Sequence, residues 1–126
     1  MAYVAACLMA PLCFLINKGL LKYLGSRVVY TWGPVVEEAA KTLLPWMVGG
    51  DILVTHVTFG FLEGVYDCFT AKLHPGRAAV GSLAGHTLFG LVTSALLWQT
   101  GLLALGLATS IAIHMLWNRA ALHLSR

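Results

Sequence analysis

Charge is what this sequence has least of. Five acidic and eight basic side chains serve 126 residues, so that 10% of the chain is charged against 59% hydrophobic, and the mean hydropathy is +0.80. A soluble globular domain carries about a quarter of its residues charged, and this composition excludes that class. Cysteine is scarce as well. Cys7, Cys13 and Cys68 show neither a metal-binding spacing nor an even set for a disulfide framework, so they read as packing residues. The zinc-protease pattern HExxH is missing, as are internal repeats, low-complexity tracts and any polar stretch long enough for a second domain. Residues 1–126 are therefore read as a single transmembrane domain.

What the chain does have is five apolar segments, 3–24, 33–49, 51–69, 77–99 and 102–123, each near the ~20 residues needed to cross a bilayer. They predict an all-α, polytopic membrane helix bundle whose links are the turns Gly25-Ser26, Gly49-Gly50-Asp51, His74-Pro75-Gly76 and Thr100-Gly101. The start Met1-Ala2-Tyr3 has no basic residue, and Lys18, Lys22 and Arg27 follow the first apolar run, so that run is expected to be a retained helix rather than a signal peptide.

Basic residues mark the cytoplasmic side of short loops. Lys18, Lys22 and Arg27 surround the first link, Lys72 and Arg77 the third, and Arg119 and Arg126 the C-terminus, while the second and fourth have none. This predicts five spans with the N-terminus outside and the C-terminus cytoplasmic, multi-pass in a cell inner membrane. The net charge of +3 thus reports orientation in a bilayer and not nucleic-acid binding.

Against this apolar background, Glu37, Glu38 and Lys41 lie inside the second segment. A charge there costs about 2.5–3.5 kcal/mol on insertion scales, and an intramembrane ionisable cluster is by default a functional site. Glu63, His86, His114 and Asn118 interrupt the other segments. At ~1.5 Å per helical residue, Glu37 lies roughly 6 Å from the cytoplasmic end of its segment, Glu63 about 10 Å, and His86 and His114 about 12–14 Å. Four alternating helices thus place acids and imidazoles in one layer. Their faces agree: Ser82, His86 and Gly90 form one stripe, Gly106, Ser110, His114 and Asn118 another, and Gly60 and Gly64 flank Glu63 with Asp67 a turn on. Gly81 and Gly85 form a further small-residue pair for close packing beside His86.

Peptide hydrolysis needs a deprotonated water and donors for the oxyanion. A carboxylate of this cluster serves as the base, and His114 and Asn118 as donors. A second arrangement has Glu63, His86 and His114 ligating zinc, with water in the fourth position and Glu37 as base. Duller roles stand beside these: Glu37 and Lys41 as a helix salt bridge, His114 and Asn118 as interhelical glue, and His56, alone near the outer end of its segment, as a structural residue. Trp32, Trp46, Trp98 and Trp117 fall near segment ends, as interfacial anchors do.

The motifs Glu37-Glu38-x-x-Lys41, Phe59-x-x-x-Glu63, Gly85-His86-x-x-Phe89 and His114-x-Leu116-Trp117-Asn118 together resemble, in order and spacing, the PrsW-like intramembrane proteases. These belong to a superfamily with the CAAX endoproteases and the bacteriocin-processing (Abi) proteins. The resemblance covers the motif-bearing core 33–118 and implies a helical bundle that hydrolyses a peptide bond of a membrane-anchored protein or peptide. It implies Glu37 as general base, Glu38 as its support, and His114 and Asn118 as oxyanion groups. Glu63 stands where the CAAX branch has a histidine, and Lys41 replaces an arginine found there one position later. Zinc and metal-free chemistry both remain open on this resemblance, as does action as one chain or as a homo-oligomer. Two other classes stay in view: a non-catalytic membrane scaffold or partner-binding subunit, and a haem-binding or ion-translocating protein using His86 and His114, or Glu37, Glu63 and Lys41.

Overall fold

The computed structural model describes residues 1–124, and all secondary structure among them is helical. Five α-helices follow one another: α1 (Ala2–Leu24), α2 (Trp32–Met47), α3 (Ile52–Thr70), α4 (Pro75–Thr100) and α5 (Leu103–Leu124). A short 3-10 helix over Ser26–Tyr30, not foreseen from hydropathy, joins α1 to α2. The apolar segments predict the five α-helices to within two residues at each end, because the turns carry clear stop signals. Gly25, Gly49 and Gly101 take positive φ at or just past three helix ends. The Asp51 carboxylate accepts the Val54 amide at 2.9 Å to cap α3, and Pro75 sits at the start of α4, where its missing N–H costs nothing.

Three helices, α1, α3 and α4, are long and apolar enough to cross a membrane. With 16 residues, α2 is about 24 Å long and carries Glu37, Glu38 and Lys41. In α5 the length suffices, but His114, Asn118 and Arg119 dilute its hydropathy.

The distribution of side chains inverts that of a water-soluble domain. Glu38, Lys41, Thr42, Thr55, His56, His86, Thr93, Ser110 and His114 are all buried. Leu8, Leu15, Phe61, Phe69, Val80, Trp98 and Leu116 face outward. The most extensive helix pair is α3 with α4, while α2 packs against α1, α3 and α5 and so occupies the centre.

The α3–α4 approach depends on glycine. A Cβ on Gly60 would lie 2.8 Å from the His86 Cβ and 3.1 Å from the Ser82 carbonyl oxygen, and one on Gly90 would lie 2.6 Å from the His56 Cβ. The missing side chains are what let His56 and His86 enter the interior. Gly81, expected to mediate close packing, has nothing within 4 Å, and Gly85 instead receives the Trp117 indole. Gly60→Ala should therefore lower stability by about 1–3 kcal/mol through overpacking, while Gly81→Ala should be neutral or mildly stabilising. Unfolding midpoints of the two variants in detergent check this, and equal midpoints would contradict the packing scheme.

Candidate active site

All five α-helices send polar side chains to one site, and at its centre is a cation. The Lys41 ammonium, fully buried, lies 2.8 Å from Glu38 Oε1, 2.7 Å from His86 Nδ1 and 3.7 Å from Glu37 Oε2. The Phe59 ring covers it at 4.5 Å. Glu37, Glu38 and Lys41 converge because residues three and four apart share a helix face.

Proton positions follow from which partners can only donate or only accept. An ammonium has no lone pair, so Lys41 donates to His86 Nδ1. His86 must then carry its proton on Nε2, which donates to the Glu63 carboxylate. Both nitrogens of His86 are thereby engaged. On the other side, His114 Nδ1 lies 2.8 Å from Glu38 Oε1 and donates to that carboxylate. In the neutral ring Nε2 is left as an acceptor, 4.0 Å from Glu37 Oε2. The imidazole is held flat on the Phe89 ring, with centroids 4.5 Å apart, and edge-on to His86 at 5.3 Å.

Glu37 and Glu38 differ in surroundings. Glu38 is sealed, whereas the Glu37 side chain keeps 14% exposure and borders two adjoining cavities of about 480 and 430 Å³. Its Oε1 accepts a 2.7 Å hydrogen bond from Asn17 Nδ2 of α1, and its Oε2 has no hydrogen-bond partner among the described residues. Glu37 Oε2, with the Lys41 ammonium 3.7 Å off, and His114 Nε2 are thus two acceptors facing each other at 4.0 Å. A water about 2.8 Å from each would subtend close to a right angle across the 4.0 Å gap and satisfy both. Held by its two hydrogens, it would turn a lone pair outward.

The candidate residues from sequence fall into three groups. Glu37, Glu38, His86 and His114, with Lys41, form the cluster itself. Glu63 joins through His86 and lines both cavities, so it supports the cluster from the side. Asn118 stands apart: its Nδ2 donates to the Val29 carbonyl at 2.8 Å, tying α5 to the 3-10 segment, and it borders the second cavity. Asp67 accepts from Ser82 Oγ at 2.6 Å one turn beyond Glu63. Two residues of the site were not singled out from sequence. Asn17 reaches Glu37 from the first helix. His56 is buried with Nδ1 3.7 Å from Glu38 Oε2, and its Nε2 is 3.3 Å from Thr42 Oγ1. The seven-residue spacing of His56 and Glu63 puts them on one helix face, and that was the available signal.

A metal would find three donors here, from Glu37, His86 and His114, all within 4.8 Å of one another. Glu37 therefore stands where sequence placed Glu63. The fit is poor on chemical grounds. Both His86 nitrogens already have partners, and a dication would sit beside the Lys41 ammonium, which fills the role of buried cation.

No family model, curated protein or solved structure matches the chain.

The pairing of Lys41 with Glu38 is testable. Lys41→Met should cost about 3–5 kcal/mol because it strands a sealed carboxylate, and adding Glu38→Gln to that variant should recover part of the loss. Chemical denaturation in detergent of the two single variants and the double variant measures the coupling; additive losses would mean that the pair is not energetically joined.

Proposed function

We propose that the chain is an intramembrane endopeptidase that hydrolyses a peptide bond of a membrane-associated protein with a water activated by Glu37. The carrying observation is Glu37 Oε2, which among the described residues has no hydrogen-bond partner, facing His114 Nε2 at 4.0 Å on a residue that borders an apolar cavity. The order of the Glu37-Glu38-x-x-Lys41, Glu63, His86 and His114–Asn118 motifs, and their resemblance to PrsW-like proteases, points the same way.

In this reading the bundle spans the membrane five times, N-terminus outside and C-terminus cytoplasmic, with α2 extended by the preceding 3-10 turn and local bilayer thinning accommodating its length. An interior of paired charges wrapped in apolar side chains is the arrangement expected of helices solvated by lipid. A thiol reagent that cannot cross membranes should label Leu73→Cys from the cytoplasmic face and Val48→Cys from the opposite face, in a background lacking the native cysteines. Labelling of both from one side would overturn this topology.

The water's oxygen attacks the carbonyl carbon as one of its protons passes to Glu37. Glu37 then gives that proton to the departing nitrogen as the C–N bond breaks. Glu38 keeps His114 oriented, and Lys41 holds Glu37 and Glu38 in place. Asn118, at the wall of the adjoining cavity, supplies a donor for the oxyanion. The step uses no metal.

Glu37→Gln should lower cleavage of a membrane-anchored peptide by about 10²–10⁴-fold with the unfolding midpoint preserved. Undiminished cleavage would remove Glu37 as base. A chelator should leave wild-type activity intact; its abolition, with recovery on adding zinc, would replace the metal-free step by a zinc one.

A further inference from the structure

Asn17 is the site residue whose chemistry is half used. Its Nδ2 donates to Glu37 Oε1 at 2.7 Å, which fixes the orientation of the amide, because the opposite orientation would set oxygen against a carboxylate. Its Oδ1 is then turned away from Glu37, buried and without a donor among the described residues. The amide rests against the backbone of α2 at Gly33, where an added Cβ would lie 3.6 Å from both Asn17 polar atoms and 2.9 Å from the Val28 carbonyl oxygen. Asn17 borders both cavities beside the base.

An acceptor left empty next to a catalytic carboxylate has a use when the substrate is a peptide within a membrane. A helical segment must unwind before its carbonyl can be attacked, and unwinding frees backbone N–H groups that lipid cannot satisfy. The protein must meet them. In the endopeptidase reading Glu37 Oε2 is taken by the attacking water and Glu38 is sealed from both cavities, so the acceptor left at the cavity wall for a substrate N–H is the Asn17 oxygen.

We propose that Asn17 positions the substrate: its Oδ1 accepts a backbone N–H adjacent to the scissile bond while its Nδ2 holds Glu37. This rests on the endopeptidase reading and adds to it a demand on the substrate, which must carry an N–H at one defined position. An otherwise identical peptide with that nitrogen methylated is a poor substrate.

The test uses a synthetic single-span apolar peptide of about 20 residues and a series methylated at one backbone nitrogen at a time, with the full chain in bilayer discs. In wild type, one methylated peptide near the cut should show a KM raised about tenfold. In Asn17→Ala that same peptide should suffer no further loss relative to the parent, while methylation elsewhere has its wild-type effect. Asn17→Asp, which keeps an acceptor oxygen but loses the donor to Glu37, should retain the discrimination and lose about tenfold in kcat. If Asn17→Ala leaves every methylation effect unchanged, Asn17 acts on Glu37 alone and the proposal falls. A parallel arm measures binding of the same peptides to Glu37→Gln protein, with and without Asn17→Ala. It reads the N–H contact without turnover, so a wild type that cuts nothing would sink the endopeptidase reading while the Asn17 contact is still judged. Equal binding of all peptides to both proteins overturns the contact.

Discussion

One buried ammonium organises the interior of this protein. Lys41 has no access to water, and removing a charge from water is affordable only with close counter-charges and acceptors around it. Glu38, Glu37 and His86 provide these, from α2 itself and from α4. Because an ammonium only donates, it fixes the proton on His86, and His86 in turn recruits Glu63 from α3. Through Glu38 it sets the environment of His114 on α5. The placement of Glu38, His86, Glu63 and His114 therefore traces back to this one ammonium. The same cation weakens the case for a metal, since the role a dication would play in gathering carboxylates and imidazoles is already filled.

Much of this was legible in the sequence because apolar surroundings make polar residues conspicuous. The helices were readable from hydropathy and turn residues, and Glu37, Glu38, Lys41, His86 and His114 from their cost at those depths. The residues that escaped did so for physical reasons. Asn17 is an uncharged amide beside Lys18 near a helix end, where a polar side chain needs no justification. His56 lies two turns from Glu63 and belonged, by depth, to the other side of the layer. Its inclusion follows from Gly90, whose bare Cα lets the imidazole in toward Glu38. Small-residue spacing was a partial guide: Gly60 and Gly64 do mark close packing against α4, whereas Gly81 faces open space. Periodicity says which residues share a face and leaves open what that face meets.

The two glutamates show how one helix separates support from chemistry. Neighbours on an α-helix are displaced by about 100°, so Glu37 and Glu38, though both near Lys41, turn to different surroundings. At the centre of the bundle, α2 has α1 and its cavity on one side and α5 on another. Glu38 points to the sealed side, where its Oε1 accepts from both Lys41 and His114 and its Oε2 faces His56 Nδ1 at 3.7 Å. Glu37 points to the cavity, held at one oxygen by Asn17, while the other faces the Lys41 ammonium at 3.7 Å without a hydrogen bond among the described residues. A carboxylate sealed from the cavity cannot reach a substrate, and one held at neither oxygen would not stay aligned with His114. Adjacency in sequence thus yields one sealed carboxylate and one at the cavity, and the one at the cavity is what the proposed chemistry needs.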